Sequence, residues 1–411
     1  MLLNLVCSTL TLFDLQQPKP HSFSDALRDT SSAKPFFLRD FPLQSSLTLP
    51  TSNTKVLVTG SAGFIGFHLT HALLKAGYEV VGLDSINDYY QVGLKYDRLE
   101  EAGIQTRAIG YNRINRSTKY SNYRFIKLKL EDESALLKLF AQENFDYVVH
   151  LAAQAGVRYS IENPMYYINS NIVGFTTILE ACRHFQPKHL VFASSSSVYG
   201  LNRKVPFRVG DGADHPVSLY GATKKSNEVM AHAYSHLFDL PITGLRFFTV
   251  YGPWGRPDMA YFLFADAIIN NKPIKIFNNG NLSRDFTYVD DIVAGLLKVI
   301  EKVPQPGVNW NPECPDPSRS AAAFRLYNIG NQQPVNLLKF IEAIERELGK
   351  TAQKEYLPMQ PGDVATTYAD VSELTQDFDY QPTTSLDEGI RRTVDWLKRY
   401  YQYDHPIPEP V

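Results

Sequence analysis

The chain has 411 residues, which is too long for one compact core. Of these residues 44% are hydrophobic and 20% are charged, a composition typical of a globular protein. Its 41 basic and 43 acidic residues give a formal net charge of -2, so bulk charge does not favour nucleic acid or an anionic membrane as a partner. Three widely spaced cysteines form neither a disulfide framework nor a zinc knuckle, which favours a reducing, cytoplasmic location and indicates no metal site.

The first 52 residues lack the regular hydrophobic pattern of the rest of the chain. The apolar run at residues 2–13 is shorter than the roughly 20 residues that span a membrane, and no basic residue precedes it as in a secretory signal. Residues 16–53 are rich in Ser, Thr and Pro. We therefore predict that residues 1–52 are a weakly structured extension outside the fold. A transit peptide stays an alternative, although four aspartates in this stretch argue against it.

An apolar strand pattern at residues 55–59 ends in a glycine-rich turn that a helical pattern follows. Gly60, Gly63 and Gly66 are each separated by two residues. In such a turn the first glycine permits the tight bend, the second lets the backbone approach a diphosphate, and the third lets helix and strand pack closely. The diphosphate would bind at the helix N-terminus, where free N–H groups and the helix dipole favour an anion.

Asp84 ends the next predicted strand and indicates which dinucleotide binds. A carboxylate at this place accepts hydrogen bonds from the ribose of NAD but repels the 2′-phosphate of NADP. We therefore predict NAD as the cofactor.

The glycine spacing resembles that of the extended short-chain dehydrogenase/reductase family. The resemblance implies an α/β fold, a doubly wound parallel sheet (Rossmann) with a smaller C-terminal substrate-binding lobe. It also implies that further residues after the strand ends contact NAD, namely Phe64, Ile65, Leu130, Leu151, Ala152 and Ala153.

Tyr220, Lys224 and Ser195 are the predicted catalytic residues. Tyr220 and Lys224 are four residues apart at the start of a predicted helix, so both side chains lie on one face. A phenol with a pKa near 10 is a poor base at neutral pH, and a nearby ammonium group together with the nicotinamide ring favours the phenolate. Tyr220 would then take a hydroxyl proton, Ser195 would hydrogen-bond the same oxygen, and Lys224 would also bind the nicotinamide ribose.

The residues beside Ser195 bear on which reaction follows. Dehydratases and UDP-glucuronate decarboxylases of the resembled family usually carry an acidic residue before Val-Tyr-Gly, where this chain has Ser197 next to Ser196. The hydroxyl-only pattern resembles the epimerases. A decarboxylase and a UDP-glucose-type 4-epimerase stay open as alternatives, as does a non-catalytic NAD-binding scaffold.

The second half of the chain resembles the UDP-glucuronate 4-epimerases, above all at residues 245–260. The resemblance implies inversion at C4 of a UDP-sugar acid through a transient 4-keto sugar with tightly bound NAD. Arg256, in a Gly/Pro-rich loop, would bind the C6 carboxylate of the sugar. The predicted substrate-binding residues are Ser196, Ser197, Thr249, Arg256, Arg284, Asp363 and Arg158.

We expect the NAD-binding domain at residues 53–245 and about 285–303, the substrate-binding lobe at 246–284 and 304–400, and a tail at 401–411. Residues 97–122 and 303–324 have the polar or Pro-rich composition of surface insertions without chemistry. The family resemblance implies a homodimer that pairs helices near residues 164–185 and 219–238.

Overall fold

The computed structural model describes residues 54–359 and 364–403. The predicted extension at residues 1–52 and residues 404–411 of the predicted tail lie outside the described residues. The strands in chain order are β1 (Lys55–Thr59), β2 (Glu79–Asp84), β3 (Ile114–Arg116), β4 (Tyr123–Lys127), β5 (Tyr147–His150), β6 (His189–Ser195), β7 (Ile242–Phe247), β8 (Thr249–Tyr251), β9 (Ile274–Ile276), β10 (Ser283–Tyr288), β11 (Phe324–Ile329), β12 (Pro334–Asn336) and β13 (Lys354–Tyr356).

The helices are α1 (Phe64–Lys75), α2 (Val92–Glu101), α3 (Glu133–Glu143), α4 (Tyr159–Glu162), α5 (Pro164–Tyr167), α6 (Gly174–Phe185), α7 (Leu219–Phe238), α8 (Ala260–Ile269), α9 (Val289–Glu301), α10 (Leu337–Leu348), α11 (Ser372–Phe378) and α12 (Leu386–Tyr400). A π-helical segment, Ile168–Val173, joins α5 to α6, and single 3-10 turns occur at Thr106–Ala108, Ser196–Tyr199 and Phe277–Gly280. None of the described helices is both long and apolar enough to cross a membrane.

The main sheet has the strand order β11-β7-β6-β5-β1-β2-β4-β3. Its neighbouring strands pair in parallel, except that β3 is antiparallel to β4 at one edge. The central strands β1 and β5 are mostly apolar and buried, as is expected where helices cover both faces of a parallel sheet. The predicted doubly wound Rossmann architecture is confirmed.

Strand β1 lies at the point where the direction of strand addition reverses. The chain adds β2 and β4 on one side of β1 and then returns to place β5 on the other side. In open α/β sheets the crevice beyond the carboxyl ends of such strands is where ligands bind. Gly60 follows β1 and Leu151 follows β5, so both predicted cofactor segments lie at this crevice.

The main hydrophobic core lies between one face of the sheet and helices α3, α6 and α7. Leu57 and Val148 from the central strands pack there against Leu136, Phe175 and Ile178, and all five side chains are fully buried. Helices α1 and α9 pack against one another outside this core. Burial of these apolar side chains fixes the strand ends that carry the site.

A smaller group of elements follows β7. Its short strands form the sheets β12-β10-β8 and β13-β9, which α8, α10 and α12 accompany. The predicted lobe boundary differs from the structure at β11, which lies within residues 304–400 but pairs in parallel with β7 as the edge strand of the main sheet. The physical reason is its burial, because five of its six residues are buried as in a sheet covered on both faces.

Candidate active site

One cavity of about 1410 Å³ extends from the carboxyl ends of the main sheet to the smaller sheets. It exceeds the roughly 300–1,000 Å³ of a typical single-ligand site, so it has room for a dinucleotide and a second ligand together. It is lined by every predicted site residue that the structure describes, namely Gly60, Gly63, Phe64, Ile65, Gly66, Asp84, Leu130, Leu151, Ala152, Ala153, Arg158, Ser195, Ser196, Ser197, Tyr220, Lys224, Thr249, Arg256 and Arg284. Asp363 lies outside the described residues.

The glycine turn has no room for side chains. Gly60 adopts a φ of +74°, and a Cβ atom there would lie 2.8 Å from the backbone nitrogen of Ala152 across the crevice. A Cβ atom on Gly66 would overlap the carbonyl oxygen of Gly60. Gly63 is the N-cap of α1 and provides no side-chain hydrogen bond to the helix. This N-terminus therefore fits the diphosphate of a dinucleotide.

Backbone hydrogen bonds hold the Asp84 carboxylate at the end of β2. Its Oδ2 accepts from the Ala62 N–H at 3.2 Å, and its Oδ1 accepts from the Ile86 N–H at 2.8 Å. Each carboxylate oxygen can accept more than one hydrogen bond, so both can also accept from ribose hydroxyls. The residues present fit NAD.

Helix α7 positions Tyr220 and Lys224. Ser218 caps its N-terminus, because the Ser218 hydroxyl accepts from the Gly221 N–H at 3.0 Å. Tyr220 lies in the first turn and Lys224 one turn later, and the Lys224 ammonium donates to the Ala193 carbonyl on β6 at 2.8 Å. Ser195 ends β6, and its hydroxyl accepts from the Ser197 N–H at 3.1 Å. The three predicted catalytic residues thus meet at one strand end.

Burial shifts the pKa values of both titratable groups of this cluster. Burial raises the pKa of Tyr220, and the hydrogen bond with Ser195 and the positive charge of Arg256 oppose that rise. Burial lowers the pKa of the Lys224 ammonium to about 8. Further positive charge beside Tyr220 would lower its pKa and favour the phenolate.

A π-helical segment places Asn171 behind the catalytic cluster. The Asn171 side chain accepts from the Gln154 N–H at 2.8 Å and donates to the Gln154 carbonyl at 2.9 Å. It also lies 3.1 Å from the Thr223 hydroxyl on α7. The extra residue in a π-helical turn often occurs at functional sites. Here it fixes the segment after β5 to the helix that carries Tyr220.

Arg256 forms a close ion pair with Asp258 inside the cavity. Its Nε donates to Asp258 Oδ1 at 3.0 Å, and its Nη2 contacts Asp258 Oδ2. Tyr89, from the segment after β2, donates to Asp258 Oδ2 at 3.1 Å, and its ring centroid lies 5.7 Å from the guanidinium. The sequence analysis missed Asp258 and Tyr89. The spacing of Asp258, two residues after the predicted ligand Arg256, could have indicated Asp258, whereas no local pattern indicates Tyr89.

The other predicted anion ligands lie toward the smaller sheets. Arg284 donates through Nη1 to the carbonyl groups of Ser283 and Ala365 at 2.9 and 3.1 Å. Arg158 is exposed and stacks over the Phe277 ring, 4.8 Å from its centroid. Thr249 starts β8 beside β10. Arg158, Arg284 and Thr249 line the same cavity as the glycine turn.

Arg98 was also missed, because residues 97–122 have the composition of a surface insertion. Its side chain is 1% exposed and donates to the Ala62 carbonyl at 2.8 Å and to the Trp254 carbonyl at 2.6 Å. The predicted surface position is wrong for the start of residues 97–122, where Leu99, Ala102 and Ile104 are buried as well as Arg98.

His150 is a packed core residue, as its apolar strand indicates. Its Nδ1 lies 2.9 Å from the Thr59 hydroxyl, and burial lowers its pKa to about 3, so the ring is neutral. Among residues 54–359 and 364–403, no group of three or more His, Cys, Asp or Glu side chains could hold a metal ion.

Known proteins are similar to this chain in sequence and in fold. Protein CapI of Staphylococcus aureus is 54% identical over 348 residues, 85% of this chain and 99% of its own. A probable UDP-glucuronate 4-epimerase of Rhizobium meliloti is 44% identical over 352 residues, again 85% of this chain and 99% of its own. The crystal structure of UDP-glucuronic acid 4-epimerase from Bacillus cereus in complex with UDP-glucuronic acid and NAD matches with a TM-score of 0.71 and 34% identity, over 84% of this chain and 100% of its own.

The sequence of residues 56–311 matches the NAD dependent epimerase/dehydratase family. That match covers more than half of the chain and includes the glycine turn and the catalytic cluster. The chain belongs to the NAD dependent epimerase/dehydratase family.

Proposed function

We propose that this protein is an NAD-dependent UDP-glucuronate 4-epimerase, which converts UDP-glucuronate to UDP-galacturonate. The observation that carries the proposal is the position of Arg256, whose charge acts on the Tyr220 phenol in the same cavity. Tyr220 would act at C4 of the sugar, and the carboxylate of glucuronate is attached to the neighbouring C5. A cation beside the base is therefore where this substrate needs one.

NAD, when bound, supplies the hydride acceptor for C4, and in its reduced form it returns the hydride, so that no net oxidation occurs. The glycine turn and Asp84 are the residues that would hold it. Leu151, Ala152 and Ala153 border the same crevice after β5.

The catalytic cluster moves one proton. Tyr220 accepts the proton of the C4 hydroxyl, Ser195 donates a hydrogen bond to the same oxygen, and the Lys224 ammonium favours the phenolate form of Tyr220. After the 4-keto sugar has turned over about its bonds to the diphosphate, Tyr220 returns the proton. Arg284 and Arg158 would hold the diphosphate during this turn, and Asp363, outside the described residues, would hold the uridine ribose.

The 4-keto sugar is a β-keto acid and can lose its carboxylate. In that reaction the C5–C6 bond breaks, its electron pair forms the C4 enolate, carbon dioxide leaves, and C5 then takes a proton. Arg256, with the hydroxyls of Ser196 and Ser197, would hold the C5–C6 bond out of alignment with the π system of the ketone, whereas Thr249 would lie near the diphosphate. Ser197 also supplies no acidic proton donor, which favours epimerisation over decarboxylation.

We also infer a homodimer. Large apolar side chains are exposed on the two neighbouring helical regions that would pair, namely Met165, Tyr166, Val173, Val229 and Leu237. Several large exposed apolar side chains on neighbouring helices are typical of a protein interface. Cys182 and Cys314 are free thiols, and we place the protein in the reducing cytoplasm on this ground.

The direct test is to incubate the purified protein with UDP-glucuronate and to resolve the UDP-sugars. We expect UDP-galacturonate, with no stoichiometric change in NADH absorbance. A UDP-pentose as main product would identify a decarboxylase, and turnover of UDP-glucose alone would identify a neutral-sugar epimerase. Absence of turnover with bound NAD would identify a scaffold.

A further inference from the structure

Arg98 on α2 is a buried cation whose hydrogen bonds go to neutral groups. Besides the Ala62 and Trp254 carbonyls, it lies 2.8 Å from the Tyr90 hydroxyl and 3.3 Å from the Gly255 carbonyl. Among the described residues, no carboxylate forms an ion pair with it at 4.0 Å or less. Desolvation of a charge without an anionic partner is costly, so the hydrogen bonds to the carbonyl groups must offset that cost.

The acceptors of Arg98 come from two parts of the site. Ala62 lies in the glycine turn, between Gly60 and Gly63. Trp254 and Gly255 lie in the segment after β8 that leads directly to Arg256. The Arg98 side chain thus joins the glycine turn, which is predicted to bind the cofactor, to the segment that carries Arg256.

The segment that Arg98 holds has a strained backbone. Trp254 adopts a φ of +60°, which a bulky residue rarely adopts. A Cβ atom on Gly255 would collide with the Tyr261 hydroxyl, so the chain has no room to relax there. Such conformations persist only where the surroundings fix them, and two of the Arg98 contacts are to the Trp254 carbonyl.

We propose that Arg98 is a positioning residue that sets the reach of Arg256, and through it the balance between epimerisation and decarboxylation. It ties the Trp254–Gly255 backbone to the glycine turn, so that Arg256 meets the substrate carboxylate in one fixed orientation. Arg98 does not line the cavity itself. The proposal rests on the proposed function, since it concerns the fate of the 4-keto acid.

Arg98→Lys is the main test, because lysine keeps the charge but loses the planar fork that reaches two carbonyl groups at once. We expect the KM for UDP-glucuronate to rise about tenfold, the effect of losing one charge-assisted hydrogen bond. The share of decarboxylated UDP-sugar should rise several-fold over wild type. Backbone amides of residues 253–258 should exchange hydrogen faster in Arg98→Lys, with or without substrate.

Arg325→Lys is the matched control. Arg325 is a half-buried arginine on β11 that pairs with Glu373 and Asp377, away from the cavity lining. The same change there should leave the KM, the product ratio and the exchange of residues 253–258 unchanged. A role of Arg98 in general stability alone would make the two variants alike, and that result would overturn the proposal.

Wild-type values of all three quantities in folded Arg98→Lys would also overturn it. If Arg98→Lys does not fold, Tyr90→Phe serves instead, because it removes one acceptor of Arg98 and leaves the arginine. We expect the KM, the decarboxylated share and the exchange rate of residues 253–258 each to rise about twofold. Wild-type values of all three in Tyr90→Phe would contradict the proposal. If wild-type protein does not form UDP-galacturonate, the proposed function fails. The exchange measurement then still decides whether Arg98 holds the segment.

Discussion

Arg256 donates through Nε to Asp258 Oδ1 at 3.0 Å, so the cation expected to bind the substrate already has an acidic partner two residues along the chain. The pair raises the pKa of Arg256 further above its usual value and lowers that of Asp258, although burial opposes both shifts. Arg256 therefore stays charged throughout the accessible pH range. The substrate carboxylate must share the guanidinium with Asp258 or displace it.

Removal of Arg256 should weaken substrate binding and change the product. Arg256→Ala loses a charge-assisted bond of about 1.5–3 kcal/mol to the carboxylate, so the KM for UDP-glucuronate should rise and epimerisation should slow. A larger share of 4-keto pentose or UDP-pentose should be released in each turnover. The measurement is the ratio of decarboxylated to epimerised product. Unchanged affinity together with an unchanged ratio would show that Arg256 does not hold the carboxylate.

Asp258→Asn should separate affinity from orientation. The variant keeps a side chain of the same shape but removes the negative charge that competes with the substrate carboxylate. We expect a lower KM for UDP-glucuronate, because Arg256 is then more available. The decarboxylated share should nevertheless rise, because Arg256 is less firmly oriented. A higher KM in a folded Asp258→Asn protein would contradict the competition between the two carboxylates.

Tyr220→Phe should leave the fold intact and remove nearly all turnover. The variant lacks the group that takes the C4 proton, and losing a general base costs roughly 100- to 10,000-fold in rate. Steady-state rates and the melting temperature of wild type and variant test this. Near-normal epimerisation by a well-folded Tyr220→Phe protein would be incompatible with the mechanism.

Lys224 should lower the stability of the nucleotide-free protein at neutral pH. Burial lowers its pKa to about 8 from the usual 10.5. At a pH where Lys224 is protonated in both states, this shift corresponds to a loss of roughly 3 kcal/mol in the free energy of unfolding. Between pH 8 and 10.5 the unfolded state binds more protons, so stability rises with pH across that window. Below pH 8 Lys224 is protonated in both states, and the full loss in the free energy of unfolding applies.

Lys224→Met should therefore be more stable than wild type at pH 7. We expect a gain of roughly 2 kcal/mol, because about 1 kcal/mol is lost with the hydrogen bond to the Ala193 carbonyl. Denaturant unfolding after removal of nucleotide measures it, and the gain should shrink toward pH 10. A less stable variant, or a difference that does not depend on pH, would refute this assignment.

Local sequence patterns predict the parts of the site that one strand end and its following turn supply. Gly60, Gly63, Gly66 and Asp84 are recognisable because backbone clearance and charge at these positions follow from the turn itself. The positions of Tyr220 and Lys224 on one helical face are likewise a property of four-residue spacing. Alternating strand and helix patterns likewise indicate a parallel sheet, although not the order of its strands.

Contacts between distant segments explain what the sequence analysis missed. Arg98 lies 156 residues from Trp254 along the chain, and Tyr89 lies 169 residues from Asp258, so no local pattern marks either pair. The edge position of β11 also depends on which strand pairs with β7 in three dimensions. The apolar residues of β11 are equally compatible with the main sheet and with a sheet of the smaller lobe.

Helix α7 is 20 residues long and would span about 30 Å. Tyr220 and Lys224 face the cavity, whereas Val229 lies on the opposite side of the helix and is 59% exposed. In the proposed homodimer, one helix would therefore carry the subunit interface on its outer side and the phenol that accepts the proton on its inner side.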